Sequence, residues 1–253
     1  MVLNRVMPCL LLRGGALVKT VRFRAPAYIG DPVNAVKIYN EKEVDELVLL
    51  DIEASRQGRG PDLATVLAVA SECFMPLAVG GGVRTLADFE ALYARGVEKV
   101  IVNSLLLRAP DVVAEAVREF GSSSVVAGID VRRGWRRTLR VHSASGARAP
   151  RDAAEYARRA AETVGVGEIL LASVDRDGTW AGYDLDAVRA VAAAVRVPVI
   201  ASGGAGSVTD VRALFETTPA TGAALGSLAV YQKRGMGVLI SFPPRAALLG
   251  PDA

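Results

Sequence analysis

Apolar residues along this chain gather into short continuous runs, separated by stretches with helical spacing, and the two patterns alternate from one end to the other. Arg5-Val-Met-Pro-Cys-Leu-Leu-Leu12 carries no polar side chain after its first residue, the pattern of a strand buried on both faces of a parallel sheet. Further runs follow at Glu46–Ile52, at Leu77 before Gly80-Gly81-Gly82, and at Lys99–Val102, Ser124–Asp130, Glu168–Ser173, Pro198–Ser202 and Gly222–Ser227. Between them the spacing predicts helices from Asp31-Pro32 to about Val44, from Pro61 to about Cys73, over Leu86–Arg95, from Pro110 onward, and over Asp152–Val164, Asp184–Val195 and Val208–Phe215. Ala16–Gly30 reads as a long loop holding Lys19, and the segment beyond Ser227 as an apolar, partly helical tail.

Eight strands alternating with helices in 253 residues have the size and rhythm of an α/β protein of one domain, a (β/α)8 TIM barrel. A doubly wound sheet is the alternative. Against it, the glycine turns at Gly80–Gly82 and Gly203–Gly206 lie half the chain apart, and Glu46–Ser55 resembles Glu168–Asp177 in the same way. Two similar four-strand halves, at about 1–121 and 122–253, fit a closed ring.

Each glycine turn leads into a helix start. Ser207-Val-Thr-Asp210 and Thr85-Leu-Ala-Asp88 place a hydroxyl where it caps free N–H groups and an acid in the positive first turn. Bare backbone beside such a helix start suits a phosphate. The plainer reading is two tight turns with no ligand, because the Walker lysine is absent and the Rossmann spacing is incomplete.

Composition narrows the function classes. The net charge is +3 and the pI near 9.0, but 30 basic and 27 acidic residues are interspersed, which argues against a nucleic-acid tract. Only Arg132-Arg133-Gly-Trp135-Arg136-Arg137 is a basic cluster, read as a solvated loop or, more sharply, a phosphate-attracting rim. Cys9 and Cys73 stand in apolar surroundings without metal or redox spacing and read as buried, reduced packing residues. With no leader-like start and no run long enough to span a bilayer, despite a mean hydropathy of +0.29, a cytoplasmic protein without membrane contact is expected. His142 is the only histidine, so no multi-histidine metal site is expected, and no cofactor.

In a TIM barrel the residues just after the strand C-termini form the active face. That face receives Lys19, Asp51, Gly80–Gly82, Asn103, Asp130, the Asp175–Thr179 turn, Ser202–Gly206 and Gly226-Ser227. A carboxylate ending an apolar strand, as Asp130 does, is costly to desolvate unless it is paired or used, so Asp130 is the candidate general acid or base, with Lys19 on the same rim. At the strand starts, Arg5, Glu46, Lys99 and Glu168 form a ring of alternating charge, able to close the barrel floor as a salt-bridged plug or gate.

The order and spacing of Lys19-Thr, Gly-Asp31-Pro, Asp-Glu-Leu-Val-Leu-Leu-Asp51-Ile, Val-Gly-Gly-Gly82, Lys99-Val, Asn103, Gly-Ile-Asp130, Glu168-Ile-Leu-Leu, Asp-Arg-Asp177-Gly-Thr and Ile-Ala-Ser-Gly-Gly-Ala-Gly206 resemble the cyclase subunit of imidazole glycerol phosphate synthase, from Arg5 to about Ser227. The resemblance implies a barrel with two phosphate sites. Gly81, Gly82 and Asn103 would serve one, and Asp177, Gly178, Gly204 and Ser227 the other, with Ser202, Gly203 and Gly226 beside them. It also implies a glutaminase docked on the floor, ammonia passing through the barrel, and Arg5, Glu46, Lys99 and Glu168 as its gate. The chain departs from the family at one of two catalytic aspartates: Asp130 matches the second, and Leu11 occupies the place of the first. Leucine neither donates a proton nor polarises an imine. The stretches Pro-Cys-Leu-Leu-Leu-Arg13 and Leu-Val-Lys-Thr-Val-Arg-Phe23 are similar instead to a variant branch found with surface-polysaccharide genes. There a cyclase-like barrel and its glutaminase would supply ammonia to a sugar amidotransferase. A true histidine-pathway cyclase and a non-catalytic phosphosugar-binding scaffold are the alternatives.

Overall fold

The computed structural model describes residues 4–135, 138–143 and 145–250. Eleven strands form in chain order: β1 (Arg5–Arg13), β2 (Ala16–Val21), β3 (Arg24–Gly30), β4 (Leu47–Asp51), β5 (Leu77–Gly80), β6 (Lys99–Val102), β7 (Val125–Arg133), β8 (Leu139–Val141), β9 (Glu168–Ser173), β10 (Val199–Ser202) and β11 (Gly222–Leu225). Eight of them pair in parallel in the order β1-β4-β5-β6-β7-β9-β10-β11, and β11 returns to β1. The sheet is therefore closed, with helices between its strands: a (β/α)8 TIM barrel, as expected.

Strand period sorts the side chains. Met7, Cys9, Val48, Ala78, Ile101, Val126, Leu170, Ile200 and Ala224 form one cluster inside the barrel, with Leu50 packed on it. The alternate residues, among them Leu10, Leu47, Val79, Val100, Ala127 and Ile169, join a larger cluster with the surrounding helices. Burying each of the branched side chains is worth about 2 kcal/mol, so the purely apolar strands follow from having hydrocarbon on both faces. Two residues before the inner cluster stand Arg5, Glu46, Lys99 and Glu168; two or four residues beyond it stand Leu11, Asn103 and Asp130. The same inward face thus carries the floor charges, the core and the rim.

The helices begin where their caps dictate. Asp31 accepts from the Asn34 N–H ahead of the helix Pro32–Glu41, which stops three residues before the expected Val44. Asp62 caps Leu63–Ala70, two residues past the expected start at Pro61 and short of Cys73. Thr85 and Asp88 form the reciprocal capping box of the helix Leu86–Tyr93, and Ser207 caps Val208–Thr217 while Asp210 accepts from the Gly206 N–H. Asp152 opens the helix Ala153–Arg159, which runs on as one π-helical turn over Ala160–Val164. Asp184 opens Leu185–Ala192.

Three readings are corrected. Ala16–Gly30 is no loop but two antiparallel strands, β2 against β1 and β3 against β2. Its signal was Gly14-Gly15 between apolar runs, a two-residue turn with φ of 56° and 77° that sends the chain straight back. The Arg132–Arg137 segment is likewise no simple loop: β7 runs through Arg133 and β8 pairs back on it, while Arg136 and Arg137 lie outside the described residues. Arg132 meets Asp175 at 3.6 Å, and Arg133 pairs with Asp184, so local acids take up charge assigned to the rim. Cys73 is half-buried; only Cys9 is fully inside. Among the described residues no helix is long and apolar enough to cross a membrane.

Candidate active site at the strand C-termini

The C-terminal ends of the barrel strands surround a cleft with a cavity volume of about 360 Å3. Lys19, Asn103, Asp130, Asp177, Gly178, Ser202, Gly203, Gly204, Gly226, Ser227, Gly81 and Gly82 all line it, whereas Gly80, Asp175, Arg176, Thr179 and Gly206 of the expected rim do not. β1 and β7 stand four strands apart in the ring of eight, directly across the barrel. Leu11 and Asp130 project inward from those two strands, and both border the cleft.

Asp130 accepts one hydrogen bond, from Asn103 Nδ2 at 3.0 Å. Burial pushes its carboxyl pKa up to about 7; the Asn103 bond opposes this and the nearby Asp177 charge adds to it. A carboxyl titrating near neutrality can both take and give a proton, the requirement for acid–base work at physiological pH. Lys19 is differently placed. Its Nζ lies 2.6 Å from Asp177 Oδ1 and also donates to the Thr20 carbonyl, both in a buried setting. Asp177 Oδ2 accepts from the Thr20 hydroxyl at 2.6 Å and from the Phe23 N–H at 3.1 Å. The Asp177 carboxylate is thus committed to the β2–β3 hairpin, and an anion on this side would meet Lys19 and backbone N–H groups rather than Asp177 itself.

The two glycine turns share one construction. Gly81 and Gly82 have φ of 102° and 82°, Gly203 and Gly204 of 93° and 109°, all in the region that side chains rarely adopt. A Cβ at Gly82 would come within 2.8 Å of the Gly60 carbonyl, and one at Gly204 would collide with the Gly182 carbonyl. Close backbone packing alone therefore demands these glycines. Gly226 is needed for another reason: a Cβ there would lie 3.0 Å from Cε of Lys19 as that side chain crosses toward Asp177. Asp51 is drawn away from the cleft chemistry, capping the Glu53 and Ala54 N–H groups and pairing with Arg59 at 2.7 Å.

Three cleft residues escaped the sequence reading. Phe23, at the hairpin tip, meets the His142 ring edge-on at a centroid distance of 6.4 Å, so the β2–β3 and β7–β8 arms touch over the cleft. His142 was visible as the single histidine, but only the β8 pairing brings it there, its N–H donating to the Asp130 carbonyl at 2.7 Å. Burial, with Arg132 adding to it, holds the His142 pKa below its usual value and keeps the ring neutral at pH 7. Trp180 lines the opposite side with φ of 60°, a strained conformation for a non-glycine residue. Among the described residues no three His, Cys, Asp or Glu side chains come together as metal ligands.

At the other end, Arg5 pairs with both Glu46 and Glu168, and Lys99 meets Glu46 Oε2 at 2.9 Å and Glu168 Oε2 at 2.8 Å. The charges alternate around the ring and are joined side to side into a closed square. Glu46 and Glu168 are only 2% and 4% exposed. Glu46 Oε2 serves both cations, and its buried Oε1 has no partner among the described residues.

The sequence of this chain is matched by known proteins. The family model described as "Histidine biosynthesis protein" matches residues 5–234. A Pseudomonas aeruginosa protein named "Putative imidazole glycerol phosphate synthase subunit hisF2" is 49% identical over 244 residues, covering 96% of this chain and 97% of that one. The chain belongs to the HisF family. Another relative, from Alkaliphilus metalliredigens and named "Imidazole glycerol phosphate synthase subunit HisF", is 42% identical over 92% of both chains. Within this HisF-family barrel, Leu11 stands opposite the one strand-end carboxyl that titrates near neutrality.

Proposed function

We propose that this barrel is the HisF-type subunit of a glutamine amidotransferase pair in the cytoplasm. It activates a glutaminase docked at the strand-start face, passes ammonia through the barrel past Arg5, Glu46, Lys99 and Glu168, and has lost the ordinary cyclase reaction. The ammonia serves amidation by a separate sugar amidotransferase, in acetamidino-sugar formation for surface polysaccharide. The observation that carries this reading is the lone acid: a ring closure needing two opposed proton-transfer groups finds Asp130 on β7 and a hydrocarbon side chain, Leu11, on β1. The paired turns at Gly81-Gly82 with Asn103, and at Gly203-Gly204 with Gly178, Ser202, Gly226 and Ser227, hold a phosphorylated ligand at the rim through backbone N–H groups, with Lys19 as the nearby cation.

The runner-up is a working imidazole glycerol phosphate synthase cyclase, favoured by the neutral-range Asp130 and by the printed name of the Alkaliphilus relative. A third reading, a phosphosugar-binding scaffold, shares the cradles but not the glutaminase. Incubation with the phosphoribosyl-formimino substrate and ammonium salt separates the first two: almost no turnover is expected, and brisk conversion to imidazole glycerol phosphate would overturn the leading proposal. Leu11→Asp is expected to gain measurable cyclase activity. Stimulation of glutamine hydrolysis in a co-purified glutaminase is the third measurement, and absence of any such complex would favour the scaffold.

A further inference from the structure

A second cavity, of about 280 Å3, opens on the outside of the barrel between the helices Ser104–Arg108 and Pro110–Phe120 and the segment Ala153–Val164. Its floor is apolar, from Leu106, Leu107 and Val164. Its charged groups are Arg148 and Arg159, and no acidic residue lines it. Neither guanidinium group enters an ion pair or donates a hydrogen bond among the described residues, whereas that of Arg133, a short way along the chain, engages two acids. Tyr156 completes the wall. The residue is 8% exposed, and its buried hydroxyl has no partner among the described residues, a cost of about 1–3 kcal/mol for a polar group left unmade. Beside it the helix widens into the π turn Ala160–Val164, where the Gly165 N–H reaches back five residues to the Ala160 carbonyl. Such turns are costly and concentrate at functional sites.

We infer that this cavity is a binding site for a small amphipathic anion, a phosphate or carboxylate carried on an apolar body. The anionic head lies between the Arg148 and Arg159 guanidinium groups and accepts the Tyr156 O–H, and the apolar body covers Leu106, Leu107 and Val164. The site is separate from the rim cleft but shares a wall with it. Leu105 of the helix Ser104–Arg108 lines the cleft, while the next two residues line this cavity. Occupancy bears on the same short helix that follows Asn103.

The test uses the full chain labelled with 3-fluorotyrosine and titrated with phenyl phosphate, watched by 19F NMR, with Tyr156→Phe identifying the Tyr156 resonance. A saturable shift of that resonance is expected, its midpoint raised about tenfold in Arg159→Ala and by a smaller factor in Arg148→Ala, both surface changes that leave the fold intact. Inorganic phosphate, lacking the apolar body, is expected to bind at least tenfold more weakly. In a Trp135→Phe background, Trp180 fluorescence reads anion binding in the rim cleft separately and is expected to be unchanged by Arg159→Ala. A Tyr156 resonance that does not move with phenyl phosphate, or that moves with the same midpoint in both arginine variants, would overturn the proposal.

Discussion

At the strand-start end of the barrel, Arg5 and Lys99 each meet both Glu46 and Glu168, whereas at the strand C-terminal end the Asp130 carboxyl, among the described residues, meets only the Asn103 amide and faces Leu11 across the ring. Both sets are inward-facing residues of the same strands, separated by the same apolar core. At the floor, alternating signs give each carboxylate two cationic partners although nearly all its surface is buried. At the rim no cation among the described residues pairs with Asp130, so burial is answered by a readier uptake of a proton, and the pKa climbs to about 7. A buried charge that is paired holds structure together; a buried acid left without a cation becomes a group that can exchange a proton near neutral pH.

The largest effect is expected from opening the square. Glu168→Ala leaves Arg5 and Lys99 sharing one carboxylate and should cost about 3 kcal/mol in urea-induced unfolding. A cost below about 1 kcal/mol would reduce the floor to the rank of an ordinary surface pair.

The rim is expected to respond in the opposite direction. Below the ordinary carboxyl value of 3.8, Asp130 is protonated whether the chain is folded or not, and costs nothing. Between there and about 7 the unfolded chain releases a proton that the folded chain keeps, so stability falls as pH rises, and the penalty is complete above about 7. Asp130→Asn should therefore stabilise the protein at pH 8 by about 2 kcal/mol, after allowing for water in the cleft, and leave it unchanged near pH 3. Equal unfolding midpoints for variant and parent at pH 8 would show that folding does not raise the Asp130 pKa.

Smaller changes test the arms that close over the rim. Asp177→Asn removes the Lys19 ion pair and should cost about 1–2 kcal/mol, with faster amide exchange confined to β2 and β3. Uniform exchange across the barrel would mean that Asp177 supports the whole fold rather than the hairpin. Phe23→Ala should have the least effect on stability, but it uncovers His142, whose NMR titration is expected to move up toward the ordinary value of 6.5.

Much of this was legible in the chain. Each apolar run became a barrel strand, Thr85 with Asp88 and Ser207 with Asp210 capped the helices assigned to them, and the four floor charges fell at strand starts. What escaped was information not carried by local spacing. Gly14-Gly15 marks a hairpin only if the strands on either side have a surface to share, and the mixed run Ala16–Gly30, with Lys19, Arg22, Arg24 and Pro26 among its apolar residues, gave no clear strand period. Lys19 and Asp177 are 158 residues apart, so nothing in either segment announced that they would neutralise each other.

The sequence by itself determined the alternation of strand and helix, the inward period that lines up Arg5 with Leu11, and a strand end at Leu11 with no ionisable side chain. These are properties of neighbours along the chain, where backbone geometry fixes which side chains share a face. Ring closure decided the rest. Only pairing β11 with β1 turns four scattered charges into a square and sets Leu11 opposite Asp130. Only the folded-over arms bring Phe23 to His142 and Lys19 to Asp177. The physical reason is that a carboxyl has no settled state until its surroundings are known: at the floor Glu46 and Glu168 each meet two cations, whereas at the rim burial raises the Asp130 pKa to about 7.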